Sequence, residues 1–170
     1  ELKIPDSLTI IGSRAFESCS GLNGELKIPD NVTKISDYAF YGCKGFTSLT
    51  LGKSIDTIGM AAFLSCSGLK GDLIIPDSVT TIGDCAFEWE DFSGLTIGKS
   101  VTTIGYRAFF GCSKLKGELI IPESVTSIGK AAFYDCSGFT SLTIGSNVTT
   151  IGEEAFLSCY GITGELIIPD

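Results

Sequence analysis

The chain contains no histidine, a single tryptophan, a single methionine and only 5 prolines in 170 residues. Without an imidazole there is no Ser–His–Asp or Cys–His arrangement to activate a nucleophile, and no mixed Cys/His zinc site can be completed. Basic residues are also scarce: 12 Lys and Arg stand against 20 Asp and Glu, a formal charge of −8. That balance argues against nucleic acid or an anionic membrane as partner, because both are bound through clustered cations. Long apolar runs are missing as well. The longest, Met60 to Leu64, is far short of the roughly 20 residues that cross a bilayer.

What the chain has in excess is repetition. The stretch Ser124-Val-Thr-Ser-Ile-Gly-Lys-Ala-Ala-Phe-Tyr-Asp-Cys136 returns in close copies through the whole sequence. Its phenylalanine recurs as Phe16, Phe40, Phe63, Phe87, Phe109, Phe133 and Phe156, at steps of 24, 23, 24, 22, 24 and 23 residues. The isoleucine five residues earlier keeps the same steps, from Ile11 to Ile151. A period of this length held along a chain is the signature of a solenoid in which each copy is one coil, and no copy could bury its apolar side alone. The 44% apolar content then fills columns running along an axis. The chain opens at Glu1-Leu-Lys-Ile-Pro-Asp6 and closes at Glu165-Leu-Ile-Ile-Pro-Asp170, the same point in the repeat. Residues 1–170 therefore read as one array cut from a longer one, uncapped at both ends.

Within a coil, the triplets Leu26–Ile28, Leu49–Leu51, Leu73–Ile75, Leu95–Ile97, Leu119–Ile121 and Leu142–Ile144 alternate in and out and end at Pro or Gly. They read as short strands, stopped where proline has no N–H to give. A second extended piece spans Val125 to Ile128, with Gly129 freeing the backbone for a turn. The Ala-Ala-Phe-Tyr-Asp-Cys segment has helical character, one or two turns at most. Stacked about 4.8 Å apart, the first strand of each coil is expected to pair in parallel with that of the next.

This pattern resembles the BspA-like, or Treponema pallidum-type, leucine-rich repeats. Leu-x-Ile-Pro is matched at Leu119 to Pro122, Val-x-x-Ile-Gly at Val125 to Gly129, and Ala-Phe-x-x-Cys-x-x-Leu at Ala132 to Phe139. The resemblance covers the entire chain. It implies a leucine-rich-repeat solenoid of seven coils of 22–24 residues, mostly short parallel β-strands with brief helical turns. It also implies a cell-surface or secreted protein whose partner is another protein, such as a host matrix or surface protein. No catalytic, metal or cofactor-binding residue comes with it.

Cys19, Cys43, Cys66, Cys112, Cys136 and Cys159 follow the repeated phenylalanine by three residues. At spacings unlike any zinc knuckle, they read as a ladder of buried free thiols packed as small hydrophobes; disulfides between adjacent rungs and metal binding are the less favoured alternatives. Cys85 lies in a variable slot and reads as a surface thiol, the reactive one of the set. In the fourth copy the turn is one residue short. Counted back from Phe92, Trp89 falls in the cysteine slot, where the indole either plugs the row as a partly buried bulge, the favoured reading, or is thrown outward as a ligand contact.

Long copies carry Gly-Glu/Asp-Leu-x-Ile-Pro and short ones Leu-Thr-Ile/Leu-Gly, so the larger unit is a pair of 46 to 47 residues. The acids at every second rung, Glu25, Asp72, Glu118 and Glu165, read as a solvated edge. The Gly-Lys-Ser triplets at 52–54 and 98–100 lack the first glycine of a phosphate loop and read as connectors. Asn31 and Asn147 open formal glycosylation sequons that a turn role explains equally well. Two surface strips remain as candidates. One is the outward row of the first strands, Lys3, Lys27, Thr50, Ile74, Thr96, Ile120, Thr143 and Ile167, with Lys27 to Thr143 as its centre. The other follows the phenylalanine column: Tyr41, Leu64, Phe110, Tyr134 and Leu157, half-buried against the next turn. Together these features favour a non-enzymatic protein-binding or adhesion module, with a rigid spacer presenting another domain as the alternative.

Overall fold

The computed structural model of the chain describes residues 2–163. In chain order its strands are β1 (Ile10–Ile11), β2 (Gly24–Lys27), β3 (Lys34–Ile35), β4 (Phe46–Thr50), β5 (Thr57–Ile58), β6 (Lys70–Ile74) and β7 (Thr81–Ile82). There follow β8 (Asp91–Thr96), β9 (Thr103–Ile104), β10 (Gly117–Ile121), β11 (Ser127–Ile128), β12 (Phe139–Ile144) and β13 (Thr150–Ile151). Each turn of this parallel β-solenoid contributes one short, odd-numbered strand and one longer, even-numbered strand. Six full turns carry the chain from β1 to β13.

The odd-numbered strands form a continuous 7-stranded parallel sheet in the order β1-β3-β5-β7-β9-β11-β13. Its register sets isoleucine on isoleucine, as in Ile11↔Ile35 and Ile82↔Ile104. Threonines beside it tie the coils further, with Thr33, Thr80, Thr102, Thr126 and Thr149 each donating Oγ1–H to a carbonyl one coil back. Both sequon asparagines serve the same end: Asn31 donates to the Asp6 carbonyl and Asn147 to that of Glu123.

The even-numbered strands depart from the expected continuous ladder. Among the described residues they pair only in twos, β2-β4, β6-β8 and β10-β12, and the prolines explain why. Within a pair, the Gly145 N–H donates to the Ile121 carbonyl at 2.9 Å, and Gly52, Gly98 and Gly145 lie so close to the carbonyls of Pro29, Pro76 and Pro122 that any Cβ would collide. At the aligned position of the next long coil stands Pro76 or Pro122, which has no N–H to return to Leu51 or Ile97. The long-and-short pair visible in the sequence is thus the true hydrogen-bonded unit.

No helix forms among the described residues, so the expected helical turns are corrected. The segment around each phenylalanine has two left-handed residues, two before and two after it: Ala61 and Ser65 at φ 51° and 63°, Ala131 and Asp135 at 55° and 57°. A left-handed residue cannot extend a right-handed helix. Instead the N–H groups alternate. Leu64 donates locally to the Ala61 carbonyl, whereas Phe63 donates across to Ala86 in the next coil.

That crossing puts the rings in one column. Phe16, Phe40, Phe63, Phe87, Phe109, Phe133 and Phe156 stack with centroids 5.1 to 5.5 Å apart and planes within 9°. The five inner rings are fully buried, and Phe16 and Phe156 are half-buried. Removing one inner ring leaves a gap with no loop able to collapse into it. Phe63→Ala and Phe133→Ala are each expected to lower the unfolding free energy by about 3 to 5 kcal/mol, read as a shifted midpoint in urea denaturation followed by circular dichroism.

Candidate binding surface

The breaks between strand pairs open depressions along one face. The break at β4/β6 holds a groove of about 570 Å³ and that at β8/β10 one of about 540 Å³. A third, of about 500 Å³, lies beside Pro29. Each contains the proline that interrupts the ladder. The outward strand row lines all three: Lys27 and Thr50 in the third, Thr50, Ile74 and Thr96 in the first, and Thr96, Ile120 and Thr143 in the second. All six are exposed, Ile74 by 63% and Ile120 by 54%. Lys3 is exposed too; Ile167 and Glu165 lie outside the described residues.

The acid rows beside this strip have a second task. Glu25 accepts from the Thr50 hydroxyl at 2.9 Å and Glu118 from that of Thr143 at 2.7 Å. Asp72, one methylene shorter, accepts from Ser93 instead, which leaves Thr96 free of an acid partner. Acids that sequence reasoning passed over follow the prolines. Asp30 accepts the Lys53 N–H, Asp77 that of Lys99, and Glu123 that of Ser146, so the Gly-Lys-Ser triplets are indeed capped turns. The Ser146 hydroxyl and N–H hold the Glu123 carboxyl below the ordinary carboxylate range. The second candidate strip is less open, with Tyr41, Leu64, Phe110 and Tyr134 half-buried and Leu157 49% exposed.

The cysteine column is unpaired throughout the described residues. Each thiol from the second coil onward donates to a phenylalanine carbonyl one coil back, Cys43 to Phe16 and Cys66 to Phe40 at 3.0 Å, with Cys112, Cys136 and Cys159 at 3.1 Å. Burial pushes Cys43 up to about 11 and Cys112 up to about 12. Three expectations change here. Cys19, in the first coil, is exposed and Cys159, in the last, half-buried rather than buried, and Cys85 is half-buried. The Cys85 thiol is pushed up to about 12, by burial first and then by the neighbouring Glu88 carboxylate, and a thiol so held is a poor nucleophile. No group of three or more Cys, Asp or Glu positioned for a metal ion occurs among the described residues.

Trp89 also moves from its expected place. It sits in the left-handed slot two after the phenylalanine, at φ 63°, and is 56% exposed. The cause is register: the Phe87 and Trp89 N–H groups bond to Ala108 and Phe110 in the next coil, so the shortened turn loses its residue after Glu90, not before it. The indole rests over Gly111, where a Cβ would collide with it, and meets Phe110 edge-on at 5.2 Å. Glu90 therefore takes the cysteine slot and is 1% exposed, while Glu88 beside it pairs with Arg107 at 3.0 Å. The Arg107 guanidinium lies over the Phe110 ring at 3.8 Å. With iodoacetamide under native conditions, Cys19 is expected to alkylate at least tenfold faster than Cys85 and the four buried thiols, as resolved by peptide mass spectrometry.

Comparison with known proteins agrees with this geometry. The profile of the BspA type leucine rich repeat region matches residues 1–116 and 80–170, with 6 copies. The crystal structure of the Treponema pallidum leucine rich repeat protein TpLRR is 28% identical with a TM-score of 0.73, covering 81% of this chain and 66% of that one. A leucine rich cell surface protein from Faecalibacterium prausnitzii A2-165 is 27% identical with a TM-score of 0.58, covering 84% of this chain and 44% of that one. A leucine-rich repeat protein from Bacteroides ovatus ATCC 8483, at 23% identity and a TM-score of 0.57 over 91% of this chain and 69% of that one, shares the fold. A search of curated proteins finds no match. The profile spans every coil of a solenoid built on this repeat, and the chain belongs to the BspA-type leucine-rich repeat family.

Proposed function

We propose that this array is a non-enzymatic protein-binding module of a cell-surface or secreted protein, and that it takes its partner along the proline-bordered strip from Lys27 to Thr143. The observation that carries this reading is the recurrence of the grooves, the two larger ones lying where strand pairs do not join and each lined by an exposed isoleucine, Ile74 or Ile120. Exposed apolar patches rimmed by polar residues mark interaction sites. Repeated at two-coil spacing, roughly 10 Å, they engage one extended surface at several points. A surface location is supported by the Faecalibacterium relative, which is described as a cell surface protein. Host matrix or surface proteins are the partner class that the family resemblance suggests. The continuous sheet and ring stack also suit a spacer, a role compatible with binding, since stiffness keeps the grooves in line.

The test is capture. Incubated with a panel of immobilised extracellular-matrix proteins, the Ile74→Asp, Ile120→Asp double variant is expected to lose at least tenfold in retention by surface plasmon resonance. Its far-UV circular dichroism should match the parent, because both side chains point into solvent. Retention equal to the parent would move the interface elsewhere.

A further inference from the structure

Glu90 and its surroundings form a device that the repeat itself does not contain. In coils two, three, five, six and seven the thiol of the cysteine slot supplies a hydrogen to the phenylalanine carbonyl one coil back. Between Phe16 and Phe133, the Phe63 carbonyl is the member of that column without such a donor, because the slot above it holds Glu90. It accepts only the local Cys66 N–H, at 3.2 Å. Glu90 shows the complementary defect. Its Oε1 accepts the Cys66 N–H at 2.8 Å, yet its Oε2 is buried with no partner. A carboxylate would leave that oxygen stranded away from water, which is costly, whereas a carboxylic acid carries the missing hydrogen.

No cation offsets a charge here. The groups acting on the carboxyl are Asp91 on its own coil and Cys66 from the coil before, with Cys112 facing it from the coil after, and Arg107 pairs through Nη2 with Glu88 while its Nε is buried without a partner. Burial dominates and pushes the carboxyl up to about 8, Asp91 adding to it and the Cys66 N–H opposing.

We propose that Glu90 is held in the folded chain as a neutral carboxylic acid, its Oε2–H replacing the absent thiol as donor to the Phe63 carbonyl, and that loss of this proton to solvent releases the fourth turn and Trp89 with it. The neighbouring indole is the moving part, because it lies outside the column, 56% exposed, over Gly111 and the edge of Phe110. The sign follows from the raised value. Stability contributed by the neutral acid is complete below the ordinary 4.5 of the unfolded chain and is lost as the pH climbs to about 8, where the folded carboxyl ionises too.

Trp89, the single tryptophan, reports the event directly. Its emission is titrated from pH 5 to 10 in the parent, in Glu90→Gln and in Glu90→Cys, with far-UV circular dichroism alongside. Glutamine keeps a donor and an acceptor without titrating; cysteine restores the column. The parent is expected to shift in emission with a midpoint near 8 and unchanged dichroism, while both variants stay flat between pH 6 and 9 and gain on the parent in urea midpoint as the pH rises from 5 to 8. A flat parent, or a Glu90→Gln variant that follows the parent, overturns the proposal, and a simultaneous loss of dichroism overturns the local release.

Discussion

Every feature of this molecule depends on main-chain hydrogen bonds that run from coil to coil at strand spacing. They leave each residue directly over its counterpart 22 to 24 positions away, so a side chain is chosen against its own kind. A ring must lie flat on a ring, a thiol must point its hydrogen at the carbonyl beneath, and an isoleucine must fit an isoleucine. The column thereby turns a weak local preference into a cooperative one, since each element is covered on two sides by the same element.

The same constraint explains how a surface arises in so regular an object. Where the aligned residue is glycine, the backbone closes on the carbonyl below; where it is proline, the bond is impossible and the ladder opens. Alternating the two gives pairs of coils separated by grooves, while the opposite sheet, which carries no proline, runs unbroken through seven strands. Stability is therefore concentrated on one side and open strand edge on the other. Acids placed after the prolines cap the turns, and those within the strands hold Thr50, Ser93 and Thr143, so the rims of the grooves are ordered by the bonds that also keep them polar.

The fourth coil shows what the column does with an irregular residue. Its phenylalanine keeps its place because two inter-coil bonds hold it, and the shortage is absorbed further on. The result is a strained, outward tryptophan and a carboxyl group in a slot made for a thiol. Left-handed backbone at a bulky residue and a buried acid are each costly, and their adjacency sets this coil apart from its six neighbours.

Much of this was legible in the letters. The period, the phenylalanine and cysteine columns, the paired superperiod and the outward row from Lys27 to Thr143 all follow from spacing, because a stacked repeat converts sequence offset into position without knowledge of anything distant. Three things were not legible, and each depends on contacts between coils. The Ala-Ala-Phe segment has helix-forming composition, but every second N–H is claimed by the next coil and its left-handed residues are, save Gly42 and Gly111, not glycines. The pairing of first strands in twos turns on which residue of the neighbouring coil must donate to which carbonyl. Counting back from Phe92 misplaces Trp89, since only the inter-coil bonds at Phe87 and Trp89 reveal on which side of Glu90 the missing residue lies. The sequence by itself determined that the chain is a coil repeated and which residues face inward; the tertiary structure alone decided where the ladder opens and which buried oxygen is left without a partner, because both are properties of the gap between coils and not of any coil alone.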